Sequence, residues 1–579
     1  MILQKAGIKM NIYKSTKKII LNILHDNFKN LNKEIDIKIT CEQPKKQKFG
    51  DVSTNVILVV SKMFNIEKKV LSEVLIKNIL KNKIFKKVNY VDPGFLNINF
   101  SNPFWSDFFK KIYLNKLNYG FSNIGKNKKI NIEFLSANPT GPLHIGHLRG
   151  AIFGDVLAKL LSKNGFNVTK EYYVNDLGVQ VDNLAFTIDH HISNFTNKKD
   201  ITLSEKMYKG EYLKKIAYDF FQNPPFDYKN FEKLKEYAVN SNMELIKKDL
   251  DSIGVSFNKY ISEKNNHKMG LLQEVIEKLE KNNDIYFGSL EKPKSKNELG
   301  WKPIKQLLFR SSKYGDKSDR VVKKSNGDWT YFASDIAYHY NKVSRGYDEI
   351  INIWGADHAG YIDRVKASLN ALGYQNTVFT VKLCQIVNLI DKKKVIKMSK
   401  RSGNFVLVSE ILPKIGKDVL RFFMLTRKND AHLDFDLEKC LNETNENPSF
   451  YVQYAYARIS SLKKIAKQKN IKFDESHLPS IKKLVSNEEL NIIREISLWP
   501  KIIESSVAFK EPHRIVYYLI ELSGKFHAYW SLGKSNSNFK ILSEDNSELT
   551  QARLLLLEMV QSVIRNGLEI LTVSVKEKM

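Results

Sequence analysis

His144-Ile145-Gly146-His147 sets two imidazoles three residues apart, directly after the turn-forming run Ser136-Ala137-Asn138-Pro139-Thr140-Gly141-Pro142. At a helix start this spacing puts both rings on one face of the first turn. The N–H groups and positive dipole end there suit a triphosphate, and Gly146, lacking a side chain, lets a flat adenine lie against the backbone. A His-x-x-His pair can also ligate zinc, but no third ligand or Glu stands at metalloprotease spacing, and no metal is assigned. A second chemical segment lies about 250 residues downstream, Lys397-Met398-Ser399-Lys400-Arg401-Ser402-Gly403-Asn404. A cationic Ser/Gly loop is suited to clamp phosphates whose charge grows as pyrophosphate leaves. Alone, it reads as a solvated surface of a lysine-rich chain; paired with the histidine turn, it points to nucleotide chemistry.

The elements around these residues are α/β. A short apolar strand at 130–135 runs into the turn, a helix of about 18 residues runs from His147 to Asn164-Gly165, and a second strand spans 168–174. The turn thus lies at the carboxyl end of a strand in a βαβ unit, where doubly wound sheets bind nucleotides. Asn326-Gly327, between apolar pieces at 321–324 and 329–332, predicts a hairpin. The strand 350–354 returns to the sheet and stops at Gly355-Ala356-Asp357-His358. Residues 11 to about 120 form a separate unit with amphipathic helices at roughly 14–32 and 65–83 and a strand at 95–100. Beyond about 440 the apolar spacing is helical to the end.

At 579 residues the chain is too long for one core. It has no apolar run long enough to span a membrane and no signal-peptide core, so a cytoplasmic protein is expected. Met10-Asn11-Ile12 offers a second translation start. Cys41, Cys384 and Cys440 stand far apart, which excludes a disulfide framework and a cysteine zinc site. The net charge of +29 suggests a polyanionic partner. A Lys/Asn/Ile-biased composition gives the same charge, so charge alone does not decide. Residues 1–120 hold 22 Lys/Arg against 9 Asp/Glu, a disproportionate +13.

Taken together, residues 144–147 and 397–400 resemble the HIGH and KMSK motifs of class I aminoacyl-tRNA synthetases. More narrowly, the turn before the first motif resembles the arginyl-tRNA synthetase family, as do Tyr331-Phe332-Ala333-Ser334-Asp335, Trp354-Gly355-Ala356-Asp357-His358-Ala359-Gly360-Tyr361 and Leu420-Arg421-Phe422-Phe423. Phe49-Gly50-Asp51 and Pro93-Gly94-Phe95 match its N-terminal domain, and Asn447-Pro448 and Phe450-Tyr451-Val452-Gln453-Tyr454 its C-terminal one. The resemblance covers essentially the whole chain. It implies a multidomain α/β protein: an N-terminal α+β tRNA-binding domain (1–122), a Rossmann-type catalytic domain (123–440) and an all-helical anticodon-binding domain (441–579).

It also implies arginine–tRNA ligase activity, by way of an arginyl-adenylate, with tRNA required for activation. His144 and His147 would hold the ATP phosphates, Lys397 and Lys400 the leaving pyrophosphate. Gly141, Pro142, Gly146, Gly355, Asp357, His358, Met398 and Ser399 would complete the ATP site. Glu133 and Asn138 would take the α-amino and carboxylate end of arginine, and Tyr331, Asp335 and Glu263 its guanidinium, a cation with five donors that needs acceptors around it. Two departures stand out. Asn258 follows Phe257 where the family usually has Asp, which bears on Glu263. Gly141 stands where some members carry a Lys; those members lack the second loop lysine, which is present here as Lys400. Tyr451, Tyr454, Phe526, His527, Tyr529 and Trp530 are candidates to stack on anticodon bases. Expected partners are tRNA(Arg), arginine and ATP with Mg2+. No tightly bound cofactor or zinc, no membrane and a monomer are expected. Among rivals, 250 residues between the motifs leave no room for an editing insertion, zinc thiolates for a cysteine enzyme are absent, and the intact histidines and lysines argue against a non-catalytic RNA-binding relative.

Overall fold

A computed structural model describes residues 10–28, 31, 34–197, 204, 206–290, 303–396, 406–543 and 545–579. The central sheet is built on strand β1 (Lys129–Phe134), where Ile130 and Ile132 are buried, as a central parallel strand requires. With β2 (Asn167–Val174), β3 (Lys259–Ser262), β4 (Glu349–Gly355) and β5 (Val378–Cys384) it forms an all-parallel sheet in the order β5-β4-β1-β2-β3. The chain moves outward from β1 to β3, then returns to place β4 on the other side of β1. The strand order therefore reverses between β1 and β4, and the space beyond their carboxyl ends is the switch point where such sheets bind ligands.

Helix α1 (Ile145–Lys163) covers the sheet. A methyl on Gly154 would lie 2.2 Å from the Phe134 ring, so only a glycine lets this helix sit so near β1. The helix begins two residues before the predicted His147, because His144 caps it. Two further helices carry site residues: α2 (Glu263–Lys268) and α3 (Tyr331–Ser344). The predicted hairpin is only half formed. The strand Arg320–Lys323 and the Asn326-Gly327 turn are present, with Gly327 donating its N–H to Lys324 at 3.1 Å and standing at φ +89°. The second arm, however, is a single bridge from Lys323 to Trp329. Thr330 then caps α3, its hydroxyl accepting the Ala333 N–H at 3.3 Å, and helix replaces strand.

The N-terminal unit is a four-stranded antiparallel sheet with helices on it. The helices predicted at 14–32 and 65–83 are shorter, Ile12–Asn27 and Lys68–Leu80. The first stops where the Phe28 backbone becomes extended. An additional helix, Val56–Phe64, carries an apolar run that reads equally well as strand. This unit is docked on the C-terminal helices Pro448–Gln468, Asn487–Phe509, His513–Ser535 and Ser547–Leu571. Buried Asp51 of the Phe-Gly-Asp motif pairs with Arg494 at 2.6 Å, and the Tyr119 hydroxyl donates to the Ile496 carbonyl at 3.0 Å. Among the described residues no helix is long and apolar enough to cross a membrane.

Candidate active site

The turn after β1 is strained and held from several sides. Leu135 and Ser136 stand consecutively at φ 69° and 41°, a conformation costing non-glycine residues on the order of 1 kcal/mol or more each. The Ser136 hydroxyl donates to Glu133 at 3.2 Å and accepts the Tyr173 N–H at 3.1 Å. The Tyr172 hydroxyl donates to the Ala137 carbonyl, and that of Tyr212 to the Thr140 carbonyl. Tyr212 fits only because residue 141 is glycine, since a Cβ there would lie 2.5 Å from its hydroxyl. Past half-exposed Pro142, the Leu143 N–H donates to the buried Asp249 carboxylate at 2.8 Å.

His144 and His147 then close a mutual cap. His144 Nδ1 accepts the Gly146 N–H at 3.2 Å, His147 Nδ1 accepts the His144 N–H at 3.3 Å, and the rings stack with centroids 3.7 Å apart. This corrects the expectation that the helix start presents its N–H groups to phosphate, because two of them are taken by the imidazoles. With each Nδ1 accepting a backbone N–H, the ring proton of a neutral imidazole sits on Nε2. Gly146 itself is exposed. Lys397, Met398, Ser399 and Lys400 lie outside the described residues, but the chain on both sides is fixed. Lys394–Ile396 pairs with Val387–Asp391, while the Val406 carbonyl accepts the Ile145 N–H at 3.1 Å and Val408 donates to the Leu143 carbonyl at 3.0 Å. The loop's exit is therefore bonded to the histidine turn.

At the switch point a cavity of about 380 Å3 brings together Glu133, Asn138, Glu263, Tyr331 and Asp335, with Gly355 and His358 at the end of β4. Glu263, the first residue of α2, is buried, and its helix is fixed by Asp176, which accepts from the Ser262 hydroxyl and the Lys264 N–H. Asn138 is held between Asn175 and Gln180. Tyr331 and Asp335 share one face of α3, Tyr331 being exposed. Burial pushes the Asp335 carboxyl up to about 8, with Glu133 and Glu263 adding repulsion. Burial likewise pushes Glu263 up to about 7, helped by Asp176 and opposed by a hydrogen bond from Ser334. Two carboxyls disfavoured as anions in one cavity are a site that a buried cation would stabilise. Asp357 and His358 are exposed and 3.5 Å apart; the Asp357 carboxylate folds back to within 2.4 Å of where a Gly355 Cβ would be.

Residues that sequence reasoning missed lie beneath this cavity. Lys342 is fully buried, bonded to Glu133 and, at 3.0 Å, to Asn352. Asn352 donates to His339 Nε2 at 2.7 Å, and His339 Nδ1–H donates to the Asp335 carbonyl at 2.8 Å. Burial, reinforced by Lys342, lowers His339 to about 3, so it is neutral. Beside them Glu171 takes Arg345 on both oxygens, the Tyr338 hydroxyl and the Asn131 amide. A lysine seven residues after Asp335, on the buried face of an apolar helix, was the signal available.

The aromatic candidates divide. Tyr451, Tyr454, His527 and Trp530 are half-buried around Arg458, which donates to the Tyr454 hydroxyl at 2.6 Å and sits 5.2 Å from the Trp530 ring. Phe526 and Tyr529 do not belong with them. They are 0% and 2% exposed, on the core side of their helix, and the Tyr529 hydroxyl is bonded to Glu489, so no base can reach either ring.

A parallel sheet whose switch point carries a histidine-capped helix, a carboxyl-lined cavity and a helical domain beyond it defines a class I aminoacyl-tRNA synthetase. Residues 109–436 match the family of class I (R) tRNA synthetase catalytic domains, residues 14–100 the arginyl-tRNA synthetase N-terminal domain, and residues 452–579 the DALR anticodon-binding domain. The chain is 41% identical over 573 residues to an arginine–tRNA ligase of Wolbachia sp. subsp. Brugia malayi, covering 98% of this chain and 100% of that one. It is 40% identical over 574 residues to the corresponding ligase of Wolbachia pipientis wMel, with the same coverage. The arginyl-tRNA synthetase of Thermus thermophilus shares the fold, with a TM-score of 0.74 over 98% of this chain and 100% of that one at 18% identity. The chain belongs to the arginyl-tRNA synthetase family, and its reaction is that of an arginine–tRNA ligase.

Proposed function

We propose that the chain acts as a cytoplasmic monomer that activates L-arginine with Mg2+-bound ATP and transfers it to tRNA(Arg), with the residues above in specific roles. The observation that carries the assignment is the meeting of Glu133, Asn138, Glu263, Tyr331 and Asp335 in one cavity beside the histidine turn. The guanidinium lies against Glu263 and Asp335, with Tyr331 over it, and the α-amino and carboxylate groups lie against Glu133 and Asn138. ATP lies along Gly141, Pro142 and Gly146 with its phosphates at His144 and His147; Gly355, Asp357 and His358 take the ribose and base. An arginine carboxylate oxygen attacks the α-phosphorus, and pyrophosphate leaves with its charge on Lys397 and Lys400, flanked by Met398 and Ser399. The terminal ribose hydroxyl of tRNA then attacks the arginyl carbonyl, and AMP leaves. The protein's part in the first step is positioning and charge stabilisation.

The basic N-terminal domain grips the outer corner of the tRNA, and Tyr451, Tyr454, His527 and Trp530 face the anticodon. The test is isotope exchange between pyrophosphate and ATP. Exchange should depend on arginine and begin only when tRNA is added. Exchange driven by another amino acid, or none with tRNA present, refutes the assignment.

A further inference from the structure

Lys342 is an anomaly for a helix packed against a buried sheet. A fully desolvated ammonium costs several kcal/mol unless it is well paired, and its acidic partner, Glu133, lines the cavity. It lies seven residues after Asp335, on the same face of α3. Its Nζ joins Glu133 on β1 to Asn352 on β4, residues opposite one another across the switch point, and sits 4.5 Å from the centre of the Tyr338 ring. Asn352 carries the connection to His339 and so to the backbone of Asp335. Of the three cavity carboxyls, only Glu133 has an ion-pair partner among the described residues; Glu263 and Asp335 have none.

We infer that Lys342 is a positioning residue that sorts charge within the amino-acid site: by pairing with Glu133 it makes the main-chain end electrically neutral and leaves the net negative charge to the guanidinium end. This rests on the arginine placement proposed above. The logic is complementarity. The main-chain end of an amino acid is a zwitterion, with no net charge, and it would meet a neutral Glu133–Lys342 pair. The guanidinium, with one positive charge, would meet two unpaired carboxyls whose burial already disfavours their charge. Without Lys342, Glu133 would add a third bare carboxylate and repel the substrate's own carboxylate. A ligand lacking that carboxylate would not be repelled.

Agmatine, which is arginine without its carboxylate, therefore separates this role from simple structural support. In the full-length enzyme, Lys342→Met should raise the arginine KM roughly 30-fold, the size expected for stranding one partner of a buried pair. The inhibition constant of agmatine against arginine should stay the same or fall. Because a stranded Glu133 could unfold the chain, Glu133→Gln/Lys342→Met removes both charges together; its arginine KM should be no worse than that of Lys342→Met alone. Equal weakening of arginine and agmatine by Lys342→Met, or an additive double variant, overturns the inference. Asp335→Asn is the control for the underlying placement and should weaken both ligands. If agmatine binding is indifferent to Asp335→Asn, the guanidinium assignment falls, and the charge sorting built on it falls too.

Discussion

Asp335→Asn is the most informative substitution in the cavity because its two consequences have opposite signs. The side chain keeps its shape and loses only its charge. For arginine, the loss is half of a charge-assisted contact in a buried site. Removing one partner of such a pair costs on the order of 2–5 kcal/mol. The exposure Asp335 keeps is to the cavity it lines, so water can partly solvate the site, and Glu263 remains; the lower end therefore applies, about 2–3 kcal/mol or ~30- to 150-fold in arginine KM. The ATP KM should stay within about twofold, because on the placement proposed above Asp335 faces the guanidinium and not the nucleotide.

For the ligand-free enzyme the effect reverses. The folded carboxyl keeps its proton to about pH 8, whereas the ordinary value is 3.8. Between those values the folded state holds a proton that the unfolded chain has released, so this group's contribution to stability falls as pH rises from about 4 to about 8. Asparagine has no such charge to bury. The ligand-free variant should therefore melt higher than the wild type at pH 8.5, with the difference shrinking toward pH 5, while arginine stabilises it less. Steady-state aminoacylation and thermal melts at the two pH values measure both effects. Equal changes in arginine and ATP KM, or a ligand-free melting temperature lowered at pH 8.5, would refute the placement and the electrostatics respectively.

The same carboxyls predict a pH profile. With Glu263 at about 7 and Asp335 at about 8, arginine binding must expel protons, so the arginine KM should fall as pH rises from 6 to 8.5 while the ATP KM stays nearly level. Lys342 and Arg364 favour the Asp335 anion, while Glu133 opposes it and Asp176 opposes that of Glu263; a flat arginine profile would exclude the two acids from the site. In the helical domain, Tyr454→Ala should raise the tRNA KM by about tenfold, within the 1–3 kcal/mol typical of a stacked base, and leave the melting temperature nearly unchanged. Phe526→Ala should instead cost about 3–5 kcal/mol of stability through its core cavity. Matching tRNA effects in stable forms of both variants would contradict that division.

Much of this was legible in the residues, and the failures have identifiable causes. The βαβ unit, its turn and the strand ending at Gly355 came from apolar runs bounded by Gly and Pro, which local physics controls. The helix start was misplaced because His144 is an unusual cap; its imidazole does what Ser or Asp usually does. The hairpin is half formed because an Asn-Gly turn fixes a bend but not the element after it, and Thr330 captured the chain for α3. Phe526 and Tyr529 could not be told from base-stacking aromatics because the spacing that lines a helix face says nothing of what that face meets. Glu263 reads from its neighbours as a surface acid; only the pairing of β3 beside β2 carries it inward.

Lys342 was hidden for a related reason, and it shows how this fold makes its site. Buried parallel strands ordinarily read as continuous apolar runs, yet the three central strands carry Asn131, Glu133, Glu171 and Asn352, all buried. Such a layer holds only if cations are supplied from outside the sheet. Helix α3 and the residue after it supply them, Lys342 to Glu133 and, three residues on, Arg345 to Glu171. The same helix, two and three turns earlier, delivers Asp335 and Tyr331 to the cavity. One element thus balances the strand carboxylates with its last turns and adds an unbalanced carboxyl with its first. Among the described residues, the cavity-lining carboxyls left without an ion pair are Asp335 and its neighbour Glu263, and on the proposed placement the ligand's positive charge answers them. On the proposed arginine placement, an apolar or neutral amino acid of the same size would leave both acids disfavoured as they stand, so discrimination there would be electrostatic before it is steric.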